Sequence, residues 1–118
     1  MQLLNAFKYA FQGVYIFFSK DFNGRLELGI AIITIAASFV LHISKYEWIV
    51  VLLCIAMVLS LEMINAAIEK LCDLVEPGFH PTIKTIKDIT AGAVLISAIV
   101  SLVIGLIIFL PKIIMKIN

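Results

Sequence analysis

Charge is what this sequence has least of. Only 14% of its 118 residues are Asp, Glu, Lys or Arg, against about 25% in soluble domains. The apolar share is 63% and the mean hydropathy is +1.13. These values exclude an ordinary soluble domain and intrinsic disorder alike. The net charge of +1 leaves neither a basic footprint for nucleic acid nor an acidic tail. Cysteine is nearly absent too. Cys54 and Cys72 lie eighteen residues apart on what reads as one helix. That is about 27 Å, beyond disulfide reach. No CxxC or Cys/His cluster suggests zinc, and His42 and His80 fall in separate connecting segments, as interfacial residues. Soluble nucleotide-binding motifs are missing. There is no GxGxxG, and Gly24 and Gly29 have P-loop spacing but are followed by Ile30 and Ala31. The apolar run Val14 to Phe18 is too short for a signal-peptide core, and no A-x-A site follows before Asp21.

What is present is a set of long apolar runs. Leu28 to Ser44, Trp48 to Leu61 and Ile89 to Pro111 carry no formal charge with His42 neutral. A spanning helix needs about 20 residues, so the second run is short by itself. It continues as a helix, however, because no Pro or Gly occurs from Leu61 to Val75, and Pro77-Gly78 supplies the stop. The expected architecture is all-α and membrane-integral, one domain over residues 1–118. An amphipathic surface helix over about residues 2–19 precedes transmembrane helices over about 26–44, 47–75 and 84–110. Three spans put Lys8, Lys20, Arg25, Lys70, Lys84 and Lys87 on one side, with Lys45, Lys112 and Lys116 opposite. That imbalance marks the first side as cytoplasmic. Seven of the eight acids lie there as well, with only Glu47 opposite. Acids barely influence topology, so they need another reason.

Glu62, Asn65, Glu69 and Asp73 supply one. Their spacing places them within an arc of about 80° on the long helix, a polar stripe on an apolar surface. With Trp48 anchored at one interface, Glu62 comes fourteen residues later, about 21 Å into a core about 30 Å thick. A carboxylate at that depth is costly and is usually functional. A solvated helix end accounts well for Asp73, moderately for Glu69 and poorly for Glu62. Lys84, Lys87 and Asp88 share a face at the start of the third span, followed by small Ala91-Gly92-Ala93, which would permit close helix approach. A basic interfacial collar is the plainer account of the lysines; a phosphate-binding pair is the functional one. Asp21, Arg25 and Glu27 add further charge between surface helix and first span. Carboxylates and lysines at one interface suit phosphoryl transfer, in which Mg²⁺ takes carboxylate and phosphate oxygens and a carboxylate accepts the proton of an attacking hydroxyl.

The run Glu62-Met63-Ile64-Asn65-Ala66-Ala67-Ile68-Glu69-Lys70-Leu71-Cys72-Asp73 closely resembles the E-x-x-N-[ST]-A-I-E-x-x-x-D signature of the prokaryotic diacylglycerol kinase family. Lys87-Asp88-Ile89-Thr90-Ala91-Gly92-Ala93-Val94-Leu95 resembles its K-D-x-x-[AS]-[AG]-A-V-L element, and Asp21-x-Asn23-x-Arg25 is similar to its E-x-N-x-R element. The resemblance implies a homotrimeric helical bundle in the bacterial inner membrane. It implies an enzyme that phosphorylates a lipid alcohol from Mg-ATP at the cytoplasmic face. Diacylglycerol is the leading substrate and undecaprenol the alternative. By position, Glu69 resembles the central metal ligand, and Asp21 stands where the family usually has a metal-binding Glu. Glu62 resembles the general base, Lys87 the phosphate ligand with Asp88 beside it, and Asn65 and Asp73 site-shaping partners. Tyr9 resembles a nucleotide-contacting aromatic. Two departures stand out. Asp21 is one methylene shorter than the family residue, which puts direct ligation in doubt. Ala66 replaces a hydroxyl side chain. A reading of another class is a small transporter or channel subunit with Glu62 as ion or proton relay, which leaves Lys87-Asp88 and Asp21 unexplained.

Overall fold

The computed structural model describes residues 1–118 as four helices: α1 Gln2–Lys20, α2 Phe22–Val40, α3 Lys45–Val75 and α4 Pro81–Ile117. The fold is all-helical. Helices α2, α3 and α4 are each long and apolar enough to cross a membrane, and α1 precedes them as an amphipathic helix. At about 1.5 Å per residue α3 runs about 46 Å and α4 about 56 Å, so both outreach a hydrocarbon core of about 30 Å. The chain is a slab of 56 × 41 × 21 Å.

The helix ends differ from those expected, for local reasons. The first span begins at Phe22 rather than near 26, because Asp21 N-caps it. It ends at Val40 rather than near 44. His42 takes a left-handed conformation at φ 52°, and Ser44 already caps the next helix. There Ser44 Oγ accepts from Glu47 N at 3.2 Å and Glu47 Oε1 accepts from Ser44 N at 2.8 Å, a reciprocal box that starts α3 at Lys45. Helix α4 begins at Pro81, whose fixed φ suits a first helical position, and His80 Nδ1 caps it by accepting from Thr82 N at 3.1 Å. Pro111 does not end α4; the helix continues through it to Ile117.

Helix α3 packs mainly against α4, and α2 against α3. Only ten of the 118 residues are buried. The one hydrophobic cluster is Ile43, Val51 and Ile108, with Leu41, Trp48, Ile55, Ile104 and Phe109 against it. It sits at the α2–α3 turn, where Trp48 also meets Phe39 edge-to-face at 4.8 Å between centroids. The remaining apolar surface faces outward, as a chain surrounded by lipid requires. Hydroxyls inside the spans bond to their own helices: Thr34 Oγ1 donates to Ile30 O at 2.8 Å, Ser38 Oγ to Thr34 O at 2.7 Å and Ser97 Oγ to Val94 O at 2.8 Å. The small Ala91-Gly92-Ala93 stretch makes no close approach within the chain, since a Cβ on Gly92 would meet nothing within 4 Å.

Candidate active site

The site lies at the pole opposite the hydrophobic cluster. Its backbone is the last half of α3, which stays helical because Leu61 to Val75 contains no breaker. Glu62 and Asn65 are half-buried, whereas Glu69 and Asp73 are exposed, so the stripe grades from apolar surroundings to water. Asn65 Nδ2 donates to Glu69 Oε1 at 3.4 Å, one helical turn on. That bond fixes the amide's orientation and leaves Asn65 Oδ1 buried with no hydrogen-bond partner. An orphan acceptor of this kind costs about 1–3 kcal/mol until something donates to it.

After α3 the chain turns through Glu76-Pro77-Gly78-Phe79, and Glu76 Oε1 accepts from Gly78 N at 3.4 Å. The turn sends α4 back alongside α3. Lys87 Nζ thereby donates to Asp73 Oδ1 at 2.6 Å. Lys84 instead pairs with Asp88 on its own helix at 2.7 Å. Both pairs are solvent-accessible and add little stability; their effect is to hold two ammonium groups in place. The two lysines are thus held differently, one across helices beside the stripe and one along α4.

The third contributor is α2. Glu27 is half-buried, forms no salt bridge and lies with Asp21 and Glu69 within electrostatic reach of Glu62. Sequence reasoning noted Glu27 among the acids near the first span and gave it no role. The signal was available: Glu27 is the last charge before the uncharged run from Leu28, so the depth argument used for Glu62 applies to it. Glu27 also borders a cavity of about 350 Å³ between α2, α3 and α4, whose walls include Thr34, Val58, Leu102 and Gly105. This space is apolar and runs from Glu27 toward Phe109, along the spans.

Of the residues expected from sequence, the structure bonds Asn65 to Glu69 and Lys87 to Asp73 as two separate pairs, with Glu62 on the same face of α3 as Asn65, Glu69 and Asp73. Asp88 is turned to Lys84. Asp21 makes no bond to Glu62; its Oδ1 accepts from Gly24 N at 3.0 Å as the N-cap of α2. Tyr9 is not brought in. It is exposed on α1, with no hydrogen bond or ring contact to the others, and α1 packs mainly against α2.

No three acids, histidines or cysteines converge as a metal cage. Mg²⁺ seldom needs one, because it keeps several waters and takes one or two carboxylates plus substrate phosphates. An exposed Glu69, tied through one oxygen only, and the orphan Asn65 Oδ1 fit that mode of binding.

Three membrane-length helices with a carboxylate stripe beside a tethered lysine define a small helical membrane protein with a polar site at one pole. The sequence profile described as Prokaryotic diacylglycerol kinase matches residues 8–109, and the chain belongs to that family. It is a lipid kinase. It is 35% identical over 111 residues to an undecaprenol kinase of Bacillus subtilis, covering 94% of this chain and 90% of that one. It is 36% identical over 110 residues to a diacylglycerol kinase of Synechocystis, covering 92% of this chain and 63% of the other. A diacylglycerol kinase of Haemophilus influenzae is 32% identical over 108 residues, at 91% and 92% coverage. Bacterial relatives and three membrane-length helices together describe a bacterial membrane protein.

Proposed function

We propose that the chain transfers the γ-phosphoryl group of Mg-ATP to the primary hydroxyl of a membrane lipid. Diacylglycerol is the first substrate to test and undecaprenol the second, since relatives of both names align over most of the chain. The observation that carries the reading is the Lys87–Asp73 tie of 2.6 Å, which sets a lysine beside a stripe graded from half-buried Glu62 to exposed Glu69. Water-soluble nucleotide and membrane-held alcohol approach such a stripe from opposite ends.

In this reading Glu62 is the general base. It takes the proton of the lipid hydroxyl while that oxygen bonds to the γ-phosphorus and the bond to the β–γ bridging oxygen breaks, releasing ADP. Glu69 is the carboxylate that would hold Mg²⁺, and the metal would supply neutralisation of phosphate charge there. Lys87 leaves Asp73 for the phosphates or spans both, and Asp88 keeps Lys84 aligned nearby. Asn65 orients Glu69 and offers its free Oδ1 to a donor such as the lipid hydroxyl. Tyr9 is a nucleotide contact only if α1 folds over the site. A small buried core supports assembly with further copies, as a homotrimer. The excess of Lys and Arg on the site's side supports a cytoplasmic active site at the inner membrane.

The test is transfer of labelled phosphate from Mg-ATP to a lipid panel by detergent-purified protein. Labelled phosphatidic acid or undecaprenyl phosphate supports the reading and selects the lipid. Absence of any lipid product overturns it.

A further inference from the structure

The segment Asp21 to Arg25 joins α1 to α2, and its hydrogen bonds serve that joint from both sides. Asp21 N donates to Phe17 O at 2.9 Å, closing α1. Asp21 Oδ1 accepts from Gly24 N at 3.0 Å, opening α2. Arg25 Nη1 reaches back to Ser19 O at 2.8 Å, covering a carbonyl that the last turn of α1 leaves free. An acid thus sits at the start of one helix and a cation at the end of the other, each at the end of the helix dipole that favours it. Phe17 is buried over Gly24, where a Cβ would come within 2.7 Å of its ring. Glycine at 24 is therefore what lets α1 close onto α2.

We propose that Asp21 is a positioning residue rather than a direct metal ligand. Its carboxylate pins the first turn of α2 against the end of α1 and so sets the rotation that brings Glu27 toward Glu62. The chemistry it serves rests on the lipid-kinase reading above. Side-chain length is the physical reason. A carboxylate one methylene from the backbone reaches its own helix's amides, and Asp is among the best N-caps, while Glu is not. Where the family pattern has Glu, this chain has the shorter acid, and the shorter acid is already bonded to the backbone. Arg25 is likewise engaged on Ser19 O, so the whole element works as a joint between surface helix and span.

Three variants separate capping from ligation. Asp21→Asn keeps the cap and loses the charge, Asp21→Glu keeps the charge and loses the cap, and Asp21→Ala loses both. Each is measured for thermal unfolding, for Mn²⁺ affinity by electron paramagnetic resonance with a non-hydrolysable ATP analogue, and for lipid turnover. The expected result for Asp21→Asn is Mn²⁺ affinity and turnover within about threefold of the parent, with unfolding unchanged. Asp21→Glu and Asp21→Ala should unfold earlier, as loss of one cap implies, and should lose turnover about fivefold because α2 no longer holds Glu27 toward Glu62, with Mn²⁺ affinity kept. The proposal is overturned if Asp21→Asn weakens Mn²⁺ more than about tenfold at unchanged unfolding, the mark of a lost ligand. It is equally overturned if Asp21→Glu matches the parent in unfolding and turnover. If Asp21→Ala fails to fold, the Asn and Glu variants still decide. Should the parent phosphorylate no lipid, the functional reading fails by itself, and unfolding and Mn²⁺ affinity still settle Asp21.

Discussion

The two ends of this slab are built by different rules. At the α2–α3 turn the chain closes with a reciprocal capping box, the Phe39–Trp48 ring pair, a small apolar cluster and a Glu47–Lys112 bridge at 3.2 Å. Lys116 Nζ adds a longer bond to Val40 O at 3.4 Å, so α4 is fastened to the turn through its last residues. At the other end only Asp73 and Asp88 of the seven acids form ion pairs, Glu62 and Glu27 have no salt-bridge partner, and Asn65 Oδ1 is orphaned. One pole satisfies its polar groups and the other leaves them open. Unsatisfied polar groups at membrane depth are expensive, and they persist where a substrate supplies the missing partner.

The contrast breaks first at Glu69. Glu69→Gln keeps shape and loses the charge proposed to hold Mg²⁺, and lipid phosphorylation should fall by at least about 10³-fold, or about 4 kcal/mol. Oligomeric state in detergent should not change. A purified variant that retains more than about a tenth of the parent rate would remove Glu69 from the metal role.

Glu62→Gln comes next. Loss of a general base costs about 10²–10⁴-fold, and a half-buried residue one turn deeper than Asn65 should leave Mg-nucleotide affinity largely intact. Lys87→Ala sharpens the distinction within the same pole. Turnover should drop about tenfold to a hundredfold, and nucleotide affinity should fall with it, because a phosphate partner is removed. Equal loss of nucleotide affinity in both variants would place Glu62 with the nucleotide instead of the lipid.

How much of this was legible in sequence follows the same division. The stripe from Glu62 to Asp73 was readable because helical periodicity alone puts those residues on one face. The Pro77-Gly78 stop was readable for an equally local reason. The Lys87–Asp73 tie was not, because it joins residues fourteen apart across a turn whose path no local rule gives. Pro111 reads as a stop and is not one; α4 is long and packed on α3, and tertiary contact outweighs one lost backbone bond. Asp21 is a mixed case: the motif supplied its resemblance to a metal-binding acid, and the folded turn adds the hydrogen bond from Gly24 N that makes it the cap of α2. Glu27 was visible all along as a lone acid at the edge of an apolar run.

The smallest expected effect tests the far pole. Ser44 Oγ satisfies the Glu47 amide, and Glu47 Oε1 both closes the box and meets Lys112 Nζ. Ser44→Ala removes the first of these bonds and leaves the bridge. Loss of a serine cap costs about 1 kcal/mol, typically within a range of about 0.5–2. Thermal unfolding in detergent should therefore begin a few degrees earlier, while turnover well below the transition should match the parent. The reasoning is distance: α3 carries twenty-nine positions from Ser44 to Asp73, about 44 Å of continuous helix, and the first turn can fray without moving the stripe. The informative measurement is the ratio of the two effects, taken on the same preparation. If Ser44→Ala lowered turnover in the cold as far as Lys87→Ala does, the capped end would be transmitting its state along α3 to the acid stripe. The separation of a satisfied pole from an open one would then be false.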